Sequence, residues 1–128
     1  MGLNFKIRLV GIDAPERGYK ERPGQPYAEK AKSFLEKLLK NKSITIKSYG
    51  IGGYNRQLAE VFLENQNINI AMIKEGLAEV YRGRRPAALD SELYFKAERQ
   101  ARSKKKGLWK QGRSYKSPKQ WRKDHPRN

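Results

Sequence analysis

Two carboxylates and an arginine lie close together in the stretch RLVGIDAPE: Arg8, Asp13 and Glu16, with Ala14 and Pro15 between the acids. A carboxylate binds a hard cation through oxygen, and a second one can take a proton from water. An arginine grips a phosphate with parallel N–H donors and offsets the charge of a phosphoryl transition state. The set suits phosphoester hydrolysis, although a plain Arg–Asp surface pair has the same residue types. A second arginine, Arg56, follows Tyr54 and Asn55 directly after Gly50, Gly52 and Gly53. By position alone it reads as one more surface cation. The segment NIAMIKEGLAEVY over 69–81 has the pattern of a structural unit: a capped helix, a glycine stop, then core Leu77 and Val80.

Composition narrows the choice. The 128 residues hold 29 Lys or Arg against 13 Asp or Glu, a net charge of +16. A polyanion is the first partner to consider, because each cation set against a phosphate releases a condensed counterion. An acidic lipid surface would attract the chain too, and solubility alone is the plainest alternative. There is no Cys, which excludes Cys-type zinc sites, disulfides and thiol catalysis. The one His is His125, which argues against Ser-His and two-His metal hydrolases. No window reaches the roughly 18 apolar residues of a membrane span. No charged start followed by an apolar run reads as a signal peptide, and compartment stays open.

The elements that must position these groups follow from hydrophobic periodicity. Strands are predicted over Phe5–Ile12, Ser43–Tyr49 and Gln57–Leu63, separated by the loop of Pro15 and Gly18–Gly24 and by the glycines at 50–53. Tyr27–Lys40 reads as a helix, with Ala28, Ala31, Leu35 and Leu38 along one stripe. A short helix over Asn69–Glu75 takes Asn69 as N-cap and Gly76 as stop, after a turn at Asn65–Asn67. Leu77–Tyr81 is extended, Arg82–Pro86 is a basic loop, and a last helix runs over Ala87–Lys105. Gly107 ends it, so that Leu108 and Trp109 fold back onto the core. Residues 103–128 hold ten Lys or Arg and one acid, Asp124. The chain therefore divides into a domain over 1–110 and a basic, flexible tail over 111–128. Tyr115 and Trp121 in that tail suit base stacking or simple anchoring. The element order points to an α+β fold in which a small, curved sheet carries its helices on one side.

Taken together, these pieces resemble the staphylococcal-nuclease (thermonuclease) family. RLVGIDAPE looks like its strand-exit motif and QPYAEKAKSFLEKLL like its first helix. YNRQLAEVF resembles its Y-G-R strand start, INIAMIKEGLAEVY its V-N-x-x-L-V-x-x-G-L-A-x-V segment, and GLW at 107–109 its closing motif. Each is weak alone; five in order are specific. The resemblance covers about residues 5–110. It implies an OB-like, five-stranded small barrel with three helices. It also implies calcium-dependent cleavage of DNA and RNA with little sequence preference, leaving 3′-phosphates. Residue by residue, Glu16 matches the general base, and Arg8 and Arg56 match the arginines on the scissile phosphate. Asp13 matches a calcium ligand, and Ala14 the position whose main-chain carbonyl meets the ion. Tyr54, Tyr81, Arg82, Arg84 and Arg85 are the expected nucleic-acid contacts.

The departures set the expectations to test. The family's upstream strand and D-G-D-T turn find no counterpart in MGLNFKI, the seven residues before Arg8. A metal-ligating aspartate and about two barrel strands are therefore expected to be missing. Weaker calcium binding follows from the lower ligand charge, and an unpaired sheet edge from the lost strands. Strand exchange in a dimer would cover that edge without restoring the aspartate. Asn55 stands where the family has glycine, the mildest replacement if φ is positive there. A catalytically impaired nucleic-acid-binding module is the alternative from another functional class.

Overall fold

The computed structural model describes residues 6–126, except for the side chain of Tyr54. The predicted strand start at Phe5 lies outside the described residues. That strand is in fact two. β1 covers Ile7–Leu9 and β2 covers Ile12–Asp13, with a turn at Val10 and Gly11 between them. Gly11 has φ 80. A Cβ there would lie 2.8 Å from Leu89 and 3.0 Å from Tyr94, so the turn closes against the core only with glycine.

The chain continues through α1 (Ala28–Leu39), β3 (Thr45–Ile51), a 3-10 turn (Gly53–Asn55), β4 (Gln57–Leu63), β5 (Gln66–Asn67) and α2 (Ile68–Lys74). β6 (Glu79–Val80), α3 (Ser91–Ser103), a 3-10 stretch (Gly107–Ser114) and α4 (Pro118–Asp124) complete it. Asn55 does take a left-handed φ of 56. β4 is the centre of the larger sheet. It runs parallel to β1, with Arg8 opposite Leu58, and antiparallel to β3, with Ile46 opposite Val61. A tight hairpin adds β5. β2 leaves this sheet and pairs with β6, Asp13 opposite Glu79.

The fold is α+β. Among the described residues the sheet does not close: its order β1-β4-β3 leaves β1 and β3 as edges, as an incomplete OB-like barrel requires. β3 is the strand most affected. Ile46 is 40% and Ile51 77% exposed, because this part of β3 has β4 beside it and no packed layer over it.

Two expectations about the helices need correction. Asn69 is not a cap. Asn67 caps α2, its side chain accepting from the Ile70 amide at 3.1 Å. Asn69, two residues on, is fully buried. Its Oδ1 accepts from the Val61 amide at 3.1 Å, and its Nδ2 donates to the carbonyls of Val10 and Ala59, both at 3.0 Å. It ties the end of β1 to β4 and α2. Helix α3 begins at Ser91 rather than Ala87, because residues 86–89 form a turn, closed by the Leu89 amide on the Pro86 carbonyl at 3.1 Å, that puts Leu89 in the core.

Gly76 stops α2 as expected, at φ 71. Its carbonyl receives the Leu108 amide at 2.8 Å, and Leu108 is fully buried. The basic segment expected to be a flexible arm instead folds back and carries a fourth helix. Ser117 caps α4 by accepting from the Gln120 amide at 3.0 Å, and Pro118 sits in its first turn with its side chain buried. Trp121 stacks on His125 with ring centres 4.0 Å apart, rather than standing free for bases.

Candidate active site

β2 delivers the first carboxylate. Asp13 ends that strand and is 7% exposed. The partner strand β6 leaves toward the Gly11 turn, where the Tyr81 amide donates to the Gly11 carbonyl at 2.9 Å. This places the Tyr81 ring under Arg8, with the guanidinium carbon 4.9 Å from the ring centre, a cation–π contact that orients the arginine. Tyr81 thus contacts Arg8 on β1 and closes the turn that leads into β2, where Asp13 pairs with Glu79. Arg56 enters from the end of the 3-10 turn, directly before β4. The parallel register sets Arg8 level with Leu58, and the Gln57 amide donates to the Lys6 carbonyl at 2.8 Å. Arg56 therefore stands just before the start of the strand that pairs with β1. Its Nε donates to the Gly53 carbonyl at 3.4 Å.

Glu16 lies on the loop after Pro15, and one buried side chain fixes it. Gln25 is 5% exposed. Its Oε1 accepts from the Glu16 amide at 3.0 Å, and its own amide donates to the Glu16 carbonyl at 2.8 Å. The other end of the same side chain, Nε2, donates to the Lys116 carbonyl at 2.7 Å. Gln25 therefore joins the Glu16 loop to the chain leading into α4.

Both carboxylates meet a third arginine. Arg122 of α4 donates from Nη1 and Nη2 to the two oxygens of Asp13, each at 3.0 Å, and from Nη1 to Glu16 at 2.6 Å. The hydrogen bonds to Asp13 are the main reason its pKa is pushed up; partial burial opposes this, and Glu16 adds to it. Behind Asp13, burial pushes the Glu79 carboxyl up, against a hydrogen bond from Tyr115 and the charge of Arg82. The Tyr115 hydroxyl, half-buried and donating to Glu79, is pushed up as well.

The expected nucleic-acid contacts separate. Tyr81 is at the site. The Tyr54 side chain lies outside the described residues. Arg84 is exposed. Arg82 is committed to Glu98, donating from Nη1 at 2.6 Å and Nη2 at 2.5 Å. Arg85 donates to the Tyr81 carbonyl at 2.6 Å and to the Ser91 hydroxyl at 3.1 Å, bracing the start of α3. Arg122, Gln25 and Tyr115 are the members that sequence reasoning missed as parts of this site. The Ser117-Pro118 start of α4 was the one local signal for Arg122.

Calcium asks for roughly six to eight oxygens. Asp13 is the matched carboxylate ligand, and Arg122 takes both of its oxygens. Ala14 can add a carbonyl. Among the described residues, no group of three or more His, Cys, Asp or Glu is placed to hold a metal ion. In this arrangement the residues do not fit the ion.

Residues 6–111 match the family described as "Staphylococcal nuclease homologue". The chain is also similar to proteins named "Probable endonuclease LCL3". The one from Komagataella phaffii is 38% identical over 109 residues, covering 80% of this chain and 48% of the relative. The one from Vanderwaltozyma polyspora is 40% identical over 111 residues, covering 82% and 40%. The one from Saccharomyces cerevisiae S288c is 37% identical over 124 residues, covering 91% and 45%. The chain spans about half the length of the curated relatives it matches or somewhat less.

Proposed function

The chain belongs to the staphylococcal nuclease homologue family, and on that premise we propose that it is a nuclease hydrolysing phosphodiester bonds of DNA or RNA with little sequence preference. The observation that supports this reading is that β1, β2 and the loop after Pro15 carry Arg8, Asp13 and Glu16 in one short run, with Arg122 touching both carboxylates and Arg56 just before β4, the strand paired with β1, in a chain of charge +16. Arg8 and Arg56 would bind the non-bridging phosphate oxygens and offset their growing charge. Glu16 would accept a proton as water attacks phosphorus. The new P–O bond forms as the P–O5′ bond breaks, leaving a 3′-phosphate and a 5′-hydroxyl protonated from solvent. Tyr81 and Arg84 would contact the flanking strand. Calcium dependence belongs to the proposal through the family resemblance, and no step is assigned to the ion. Among the described residues no helix is long and apolar enough to cross a membrane.

A second reading, a nucleic-acid-binding module that does not cut, is favoured by one observation: Arg122 holds Asp13 and Glu16. Cleavage of single-stranded DNA, with calcium and with a chelator, separates the two. Glu16→Gln and Arg56→Ala are each expected to lower the rate by about 10²-fold or more with the fold retained. Unchanged rates in either variant would remove its assigned role. Salt-sensitive binding without cleavage would establish the module.

A further inference from the structure

We propose that Arg122 is a built-in cation that locks the site: α4 holds it on Asp13 and Glu16 in place of a divalent metal ion, and cleavage begins only when α4 moves away. The roles of Asp13 and Glu16 are those of the nuclease reading, on which this proposal rests; the locked geometry stands without it. A guanidinium stays protonated across the whole working range of pH. Arg122 occupies a Glu16 oxygen at 2.6 Å, and a water has to displace it to be met by that oxygen. Arg122 donates to both oxygens of Asp13, so its fixed positive charge offsets the carboxylate and repels a second cation brought to the same oxygens. One side chain therefore blocks the base and the cation ligand together.

The lock is built to open. α4 has seven residues and buries one of them, Pro118, so lifting it exposes little apolar surface. Its tether is short: Gln25 on the Lys116 carbonyl, and Tyr115 on Glu79 and against the Trp109 ring. Gln25 also holds the Glu16 amide, so loss of the tether is transmitted to the base. The helix and its lead-in carry Lys116, Lys119, Arg122 and Lys123. A nucleic-acid backbone offers phosphates to these cations, so substrate would draw α4 away, and the freed Asp13 would again be open to a cation. The contrary possibility is that Arg122 serves the reaction as a permanent cation. The bond to Glu16 counts against it, because it silences the residue needed as base.

The test is calcium titration by calorimetry, without nucleic acid, on the full chain and on Arg122→Ala, Arg122→Lys and Arg122→Ala/Asp13→Asn. Circular dichroism confirms that each is folded. The lock predicts that Arg122→Ala binds calcium about tenfold tighter than the parent. Arg122→Lys should fall between them, since a lysine keeps charge without the fork. The double variant should lose the gain. Equal calcium affinity in parent and Arg122→Ala overturns the proposal. So does slower DNA cleavage by Arg122→Ala at low calcium, which would make Arg122 a working cation; faster cleavage supports the lock. Tighter calcium binding with no cleavage by any variant supports the lock and overturns the nuclease reading instead.

Discussion

Two arginine–carboxylate forks in this molecule share their chemistry and differ in what they hold. Arg82 grips Glu98 and Arg122 grips Asp13; both cations are 42% exposed, and the carboxylates are 4% and 8% exposed. Glu98 also accepts from the Val80 amide at 2.6 Å and faces Arg102 at 3.2 Å. Its acceptor capacity is spent inside the fold, where it fastens α3 to β6. Burial alone would push the Glu98 carboxyl up, yet the hydrogen bonds from Arg82 and Val80 and the two arginine charges outweigh it, and the net shift is downward. Asp13 and Glu16 give their acceptors to a residue on a short terminal helix instead. The same fork is a weld where both partners sit on core elements. It is a plug where one partner can be withdrawn.

The sharpest way to break this comparison is to remove the weld. Glu98→Ala leaves the Val80 amide buried and Arg82 partly desolvated without its acceptor. A loss of about 3 kcal/mol is expected, the lower end for a broken buried pair because Arg82 reaches solvent. Chemical denaturation measures it, and a loss below about 1 kcal/mol would show that the pair is no weld. The acid limb gives a second readout. The folded pKa of Glu98 lies below its ordinary 4.5. Its contribution is therefore present above that ordinary value and is lost as pH falls through the lower, folded one. The parent should lose stability more steeply than Glu98→Ala in that window.

Asn69→Ala comes next in size. It removes the partner of the Val61 amide and of two carbonyls in the core, for an expected cost of about 2 kcal/mol. Because Asn69 anchors the Val10 carbonyl just before the Gly11 turn, cleavage should fall as well, with Asp13 no longer held at its present angle. Loss of stability with undiminished cleavage would show that the turn is positioned by Tyr81 and the strand pairing alone.

Much of this was legible in the sequence, and the reasons are local. β4 reads correctly from end to end because Ala59, Val61 and Leu63 alternate along it, and Ala59 and Val61 are buried. Gly76 and Leu108 read correctly because a left-handed stop and a buried leucine each leave a strong one-residue signal. Arg8, Asp13, Glu16 and Arg56 stand out in the sequence by type and order, and the structure carries them on β1, on β2, on the loop after Pro15 and just before β4. What was hidden is long-range and polar. Asn69 looks the same to a local reading whether it caps its own helix or bridges two strands. Arg122 lies 109 residues beyond Asp13 and 106 beyond Glu16, in a stretch whose charge reads as solvated. A run of cations carries no mark for the one that finds a buried acid.

The smallest expected effect gives the finest test of weld against plug. Arg122→Ala removes three hydrogen bonds to carboxylates, one more than the Arg82–Glu98 fork contributes side chain to side chain. A count of contacts would rank it as the more damaging change. The physics ranks it last. Removing Arg122 leaves two carboxylates that water can reach along the face α4 uncovers, whereas removing Glu98 strands a backbone amide that water cannot reach. The expected loss is under about 1 kcal/mol, a shift in melting temperature of about 5 °C or less for a domain of this size. Added calcium should reverse part of that loss, because an ion bound to the folded state alone stabilises it by mass action. A large loss that calcium does not restore would place α4 among the elements the fold needs, and the two forks would then be one kind of device.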